Sequence, residues 1–314
     1  MNEEKKKAED HKRGHRFRRL GILLVAAVVL VGLLAWKAGL FDSRSIDEKL
    51  AAIDAELAIP EAENAAVFYR RFFTDPNNAA ILDGLSVFSP SAYVEPWASS
   101  EDPELAAELK KHRAFIQTLL DISEMQKACF PVYPKQGTDW WEMLSYMRRV
   151  TFILSSAAAN DLAEGRADAA FSKYRCQLRL ARQLEQQPVV IYNLVGMAIE
   201  AVASGNIRRA VMRQETTPEQ LGSLETILAI PVDRIEGHAD IAARVERLIE
   251  EKEWSQLSLT GKLKRWLIGR KIRAEQKRRQ RLIHLRLEAT RRATPILIAL
   301  RRYKDKTGVW PETL

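Results

Sequence analysis

Histidine and cysteine are the side chains best suited to proton transfer, nucleophilic attack and metal binding near neutral pH. This chain has five of the first and two of the second. Their spacing assembles no recognisable chemistry. His11 and His15 lie in a basic N-terminal tail, His112 and His238 each fall within an apolar helical stripe, and His284 stands between Ile283 and Leu285. A histidine on such a stripe is expected to be a hydrogen-bonded core or boundary residue rather than a ligand. Cys129 and Cys176 are too few for a disulfide framework or a metal-ligand cluster, and Cys176, within KYRCQLRLARQL, is expected to be a small buried thiol. Adjacent carboxylates such as Asp47 and Glu48, or Glu250 and Glu251, point to different sides of a helix. The Trp140 and Trp141 pair reads as core and boundary packing rather than a stacking platform. The P-loop, the dinucleotide fingerprint, the serine elbow and the H-E-x-x-H zinc motif have no match. The expectation is no catalytic activity, no cofactor and no metal. An envelope enzyme stays open only through groups that converge in three dimensions.

The charge is better organised. The net formal charge is +8, and between Lys262 and Arg292 thirteen basic residues face only Glu275 and Glu288. The candidate anionic-surface contacts in this stretch are Lys264, Arg265, Trp266, Arg270, Lys271, Arg273, Lys277, Arg278, Arg279 and Arg281. Three roles fit: a solvated helix bridging two lobes, a contact with anionic lipid in which Trp266 and Leu267 dip into the surface, and a nucleic-acid face. The middle, RKIRAEQKRRQR, is polar all round. The solvated helix leads, and nucleic acid is the least expected partner at an extracytoplasmic site.

That site is set by the run Leu20 to Trp36, LGILLVAAVVLVGLLAW, seventeen residues without a charge. Its length reaches the lower end of what a bilayer core requires, and Ala38 to Phe41 extend it once Lys37 snorkels. Its core is longer than the roughly 7 to 15 apolar residues of a cleaved signal peptide. Eight basic residues precede it, from Lys5 to Arg19, so the positive-inside rule places the N-terminus in the cytoplasm. The expected organisation is a basic cytoplasmic tail (1–19), a transmembrane anchor (20–41), an extracytoplasmic helical domain (42–259), a basic helical segment (260–294) and a distinct C-terminal stretch (295–314).

The domain is all-α by pattern. Ile46, Leu50, Ile53 and Leu57 form a helical stripe, and Ala62 to Phe73 make a second helix. The following thirty residues read as a turn-rich loop packed by Phe88, Tyr93 and Trp97. Pro103 opens one helix carrying Leu105, Leu109, His112, Ile116 and Leu119 on one face. A long helix from Trp140 to about Glu164 meets another at Gly165, which runs on to Gln187. Val189 to Gln214 is the most apolar helix, Thr217, Pro218 and Gln220 form a capping box, and Val232 to about Leu257 follows. Thr294 and Pro295 are expected to start the last helix.

Two resemblances accompany these patterns. Leu154, Ala157 and Ala158, then Gly165, Ala170 and Tyr174, resemble one tetratricopeptide hairpin, in which small residues let paired helices approach; no second copy follows at a period near 34. The end, from Ala299 and Leu300 through Tyr303, Lys304, Gly308, Trp310 and Pro311 to Leu314, resembles the helix-to-loop transition of type II secretion pseudopilins, without their N-terminal processing signal. Both occur together in uncharacterised single-pass membrane-anchored helical proteins common in Planctomycetes and related bacteria. The chain resembles them in ENAAxxY (Glu63 to Tyr69), AEGxxxAA (Ala163 to Ala170), LARQLEQQPVVIYNLVGMAI (Leu180 to Ile199) and the terminal ALRRY with GxWP. The resemblance implies a fold, an anchor and a truncated end at Leu314, and it implies no activity. The expected function is a membrane-anchored extracytoplasmic scaffold for a protein partner; an accessory role in a type II secretion or pilus-like apparatus is the alternative.

Overall fold

The computed structural model describes residues 44–85, 95–132, 140–231 and 238–311, and between 261 and 280 it describes the side chains of Glu275 and Arg278 only. The run Leu20 to Trp36 and the basic tail before it lie outside the described residues, as do Phe88, Tyr93 and Ile235. Eleven α-helices occur among the described residues, and the only β-type pairing there is a bridge of Asn64 with Lys127. They are α1 (Ile46–Leu57), α2 (Ala65–Thr74), α3 (Pro76–Leu85), α4 (Pro103–Lys111), α5 (Arg113–Ser123), α6 (Trp140–Ala163), α7 (Ala167–Glu185), α8 (Val190–Met212), α9 (Pro218–Leu228), α10 (His238–Gln256) and α11 (Leu259–Thr307). The all-α reading holds. The described residues from Leu50 onward form one compact unit.

The centre is built by α6, α7 and α8. Gly165 adopts φ +74°, and the bonds Arg166 N–H to Asp161 O (2.7 Å) and Gly165 N–H to Leu162 O (3.2 Å) close α6 in a Schellman turn that sends α7 back along it. Ala158 and Ala170 are fully buried, and with Phe171, Tyr174 and Leu178 they join Ala203, Ile207, Leu221, Leu224 and Ile298 in the core. Thr217 and Gln220 make the expected capping box of α9.

Four sequence expectations are corrected. The DPNN stretch is not loop: Pro76 occupies the first position of α3, and the Asp75 carboxylate accepts the Asn77 N–H at 2.8 Å, so the turn signals mark a helix start. The single helix after Pro103 is two, broken at His112, whose backbone leaves the helical region at ψ 20° and whose imidazole contacts Glu108 at 3.2 Å. The helix ending at Gln187 stops at Glu185. Thr294 and Pro295 start no helix; they lie inside α11. Proline cannot donate to the Arg291 carbonyl and costs about 3 kcal/mol in a helix interior. Here the break is bridged by flanking anchors, because Arg291 is ion-paired, Thr294 and Ile298 are fully buried, and the Thr294 hydroxyl donates to Thr290 O at 2.8 Å. The proposed boundary at 294/295 thus falls within one continuous helix of roughly 70 Å at about 1.5 Å per residue.

One described helix, α8, is long and apolar enough to cross a membrane by length and composition. Its hydropathy has a packing cause. It lies against α6, α7 and α11, and Tyr192, Ile199, Ala203 and Ile207 are buried there along with Glu200 and Asn206.

Candidate functional site

The most concentrated charge in the interior joins three helices. Arg182 and Glu185 sit one turn apart at the end of α7, Glu200 lies mid-way along α8, and Arg291 reaches in from α11. Arg182 Nη1 donates to Glu200 Oε2 at 2.7 Å and lies 3.4 Å from Glu185 Oε2. Arg291 holds Glu200 in a two-pronged contact, Nε to Oε1 at 2.8 Å and Nη2 to Oε2 at 2.5 Å, and Nη2 also donates to Glu185 Oε2. The Glu200 side chain is 1 % exposed and that of Glu185 6 %. Burial and the neighbouring Glu200 carboxylate push the Glu185 carboxyl up to about 7. Burial also opposes ionisation of Glu200, but the Arg291 hydrogen bond and the Arg182 charge outweigh it and hold that carboxyl below its ordinary value. Arg182 Nε and Glu185 Oε1 are buried without a hydrogen-bond partner among the described residues.

This centre requires α7 and α8 to run close, and Gly196 permits it. A β-carbon at Gly196 would stand 2.7 Å from the Ala181 carbonyl oxygen, 3.0 Å from Glu185 Cγ and 3.1 Å from Leu184 Cβ. A second clamp fixes the C-terminal half of α11. The Arg301 guanidinium, on a residue 6 % exposed, donates to the carbonyls of Val211 (2.8 Å), Arg213 and Gln214 (3.2 Å) and to Asp305 (2.7 Å). It therefore satisfies carbonyls at the α8 terminus and complements the negative end of that helix.

A further set of polar side chains forms a latch between the N-terminal helices and the α7–α8 corner. The Asn64 carboxamide caps α2 through Ala66 N–H (3.1 Å) and pairs both backbone groups of Cys129. Tyr69 OH donates to Gln183, Gln183 donates to Met125 O, and Gln187 bridges Phe130 N–H and Ala128 O. His238 donates to Gln187 O at 3.0 Å, which is the boundary role expected of it. Both cysteines are free thiols; burial pushes Cys176 up to about 12 and Cys129 up to about 11, away from thiolate chemistry. Trp140 packs against Phe130 and under Arg70, whereas Trp141 is 52 % exposed.

Two open clefts flank the α6–α7 hairpin. The first, about 620 Å³, lies toward α4 and α5 and is lined by Lys110, Arg113, Arg166 and Lys173 around Asn160 and Asp161. Asp161 accepts from Arg166 Nε (2.8 Å) and from Lys173, so its charge is already neutralised from within the wall. The second, about 420 Å³, lies toward the end of α8 and carries Arg208, Arg209 and Arg213 with Glu95 and Asn206. Arg209 donates to Asn206 at 2.7 Å, and Arg213 lies 3.4 Å from Glu215. Both walls are cationic.

The ten residues expected to meet an anionic surface all fall on α11. Arg278 and Arg281 are exposed; the side chains of Lys264, Arg265, Trp266, Arg270, Lys271, Arg273, Lys277 and Arg279 lie outside the described residues. The sequence reading passed over Arg182, Glu185, Glu200, Arg291 and Arg301. Its available signal was a lone Glu200 in the apolar segment LVGMAIEAVA, since a charge there needs a buried partner. Among the described residues no group of histidine, cysteine and carboxylate side chains could hold a metal ion. Comparison with known proteins gives no family model, no curated protein and no solved structure that this chain matches.

Proposed function

We propose that this protein is a membrane-anchored extracytoplasmic helical scaffold that binds a protein partner and catalyses no reaction. The observation that carries the reading is the pair of open cationic clefts on either side of the α6–α7 hairpin. The interior polar groups around them are engaged in holding helices together. The clefts present guanidinium and ammonium groups to solvent along the sides of a packed hairpin, a surface suited to an extended or helical segment rich in carboxylates. Lys110 and Arg113 at the ends of α4 and α5 face Arg166 at the start of α7, so one segment can meet both walls; Lys173, 12 % exposed, is held by Asp161 inside the second wall.

Photocrosslinking tests this. A benzoylphenylalanine placed at Lys110 or Arg208 in the full chain, in its own membranes, is expected to give a discrete protein adduct, while the same group at exposed Trp141 gives none. Charge reversal at exposed Arg113 should remove the adduct at Lys110. Adducts of equal yield from all three positions, or none from the clefts, would contradict the scaffold.

A further inference from the structure

We infer that the outer face of α11 between Arg278 and Tyr303 rests on an anionic lipid surface. From Leu287 onward the inward face of this helix is occupied: Leu287, Thr294, Ile298 and Arg301 are buried, and Arg291 joins the central charge cluster, whereas residues 281–286, with Ile283 on the inward line, are exposed on every side. On the opposite face, Leu282, Leu285, Ala289, Arg292, Ile296, Ala299 and Tyr303 recur at alternating spacings of three and four, and every one is exposed. The large ones are strongly so: Leu285 65 %, Ile296 51 %, Leu282 47 % and Tyr303 46 %. Such a stripe, on a helix packed along its other side from Leu287 onward and standing free with Leu282, Ile283 and Leu285 before it, asks for an occupant.

The charge pattern chooses among occupants. In a helix–helix seam, charges flank the apolar line. Here Arg278 and Arg281 lie on the same line of the helix as Leu282 and Leu285, and Arg292 stands between Ala289 and Ile296, with Glu288 its carboxylate at 2.9 Å. A second copy laid in register would set Arg278, Arg281 and Arg292 against themselves. A lipid interface accepts both residue types on one face: leucine and isoleucine enter the acyl boundary, arginine stems lie along it, and the guanidinium groups meet phosphates. The excess of thirteen basic over two acidic residues from Lys262 to Arg292 extends the attraction along the same helix. The inference rests on the anchored reading, in which the apolar run Leu20 to Trp36 keeps the chain at a bilayer, so that a weak surface equilibrium suffices.

The test uses the full chain in lipid nanodiscs of phosphatidylcholine, with or without phosphatidylglycerol. A fluorophore on Leu285→Cys, and on Gln220→Cys as a control, is read for emission shift and for quenching by nitroxide lipid. Cys129→Ala and Cys176→Ala remove the native thiols. The expected result is a blue shift and quenching at 285 that requires phosphatidylglycerol, with no change at 220. Substitution of Arg278, Arg281 and Arg292 by glutamine should weaken that equilibrium on the order of 100-fold. A label at 285 that stays in water in both lipids, while the chain co-migrates with the disc, would overturn the inference and leave the anchor standing. A blue shift at 285 without quenching by nitroxide lipid would overturn it in favour of a second copy of the chain, and quenching indifferent to phosphatidylglycerol would overturn the anionic requirement. A chain that does not enter the discs overturns the anchor and the inference together.

Discussion

Replacing Arg291 with methionine is expected to destabilise the chain by about 3–5 kcal/mol, a fall in melting temperature on the order of 10 °C, measured by circular dichroism of the full chain in detergent micelles. The guanidinium bridges Glu185 and Glu200, which are 6 % and 1 % exposed, so its loss leaves two carboxylates sharing Arg182 alone. The stem of arginine and methionine are similar in bulk, so the deficit reads charge rather than packing. It should depend on pH with a definite sign. Because the folded Glu185 carboxyl stands at about 7, above its ordinary 4.5, the folded state holds more protons between those values, and this group's contribution to stability falls as pH rises through that window. Glu200, held low, gives the opposite slope below its ordinary value. Removal of Arg291 favours protonation of both, so the deficit should be largest above pH 7 and shrink toward pH 5. Glu185→Gln added to Arg291→Met should recover part of the loss at pH 7. A deficit under 1 kcal/mol, or one indifferent to pH, would mean the cluster is not what holds α11 down.

Gly196→Ala is the second large effect, and its sign is opposite to the usual one. An alanine in a helix interior normally gains about 1 kcal/mol over glycine. At Gly196 the new methyl would meet the Ala181 carbonyl at 2.7 Å, a backbone atom that cannot swing aside. Overpacking of this kind costs about 1–3 kcal/mol, and the same shift displaces Glu185, whose Cγ stands 3.0 Å away. Gly205, nine residues on in the same helix, meets only the tip of Arg209 at 3.8 Å. Gly205→Ala should therefore stabilise. Chemical denaturation of the two variants in parallel decides the matter, because a loss at 196 beside a gain at 205 follows only from close approach of α7 and α8. Equal gains at both would show that the two helices are not in contact there.

The parts of the fold that were legible in the sequence are those fixed by local chemistry. The 3.6-residue stripe of Leu50, Ile53 and Leu57, the glycine turn at Gly165 and the Thr217 capping box each depend on a few adjacent residues, and each is found. Pro103 and Pro218 were read correctly as helix starts, but two other prolines were misread: Pro76 begins α3 instead of a loop, and Pro295 is carried within α11 by anchors on both sides. Those anchors come from elsewhere in the chain, so no local window could show them. The same holds for the candidate site. Asn64, Tyr69, Gln183, Gln187 and Gly196 stand inside the sequence runs quoted above, as do Arg182, Glu185 and Arg301, but a run assigns no role: the hydrogen bonds that latch α2 to the α7–α8 corner join residues 57 to 114 apart in sequence, and the close approach at Gly196 is to Ala181, Leu184 and Glu185 on the preceding helix. The basic run was plain in the sequence; that an apolar line crosses it on the outward side of one unbroken helix was not.

The proposed membrane anchor, Leu20 to Trp36, underlies both the proposed scaffold and the proposed lipid contact, and topology tests it most directly. A reporter active only outside the cytoplasm and, separately, one active only within it would be fused after Leu314. The account predicts activity of the outside reporter alone, which places the two cationic clefts and α11 in the envelope. Activity of the cytoplasmic reporter alone would contradict it, reverse the orientation set by the basic N-terminal tail and make nucleic acid a serious partner for Lys262 to Arg292.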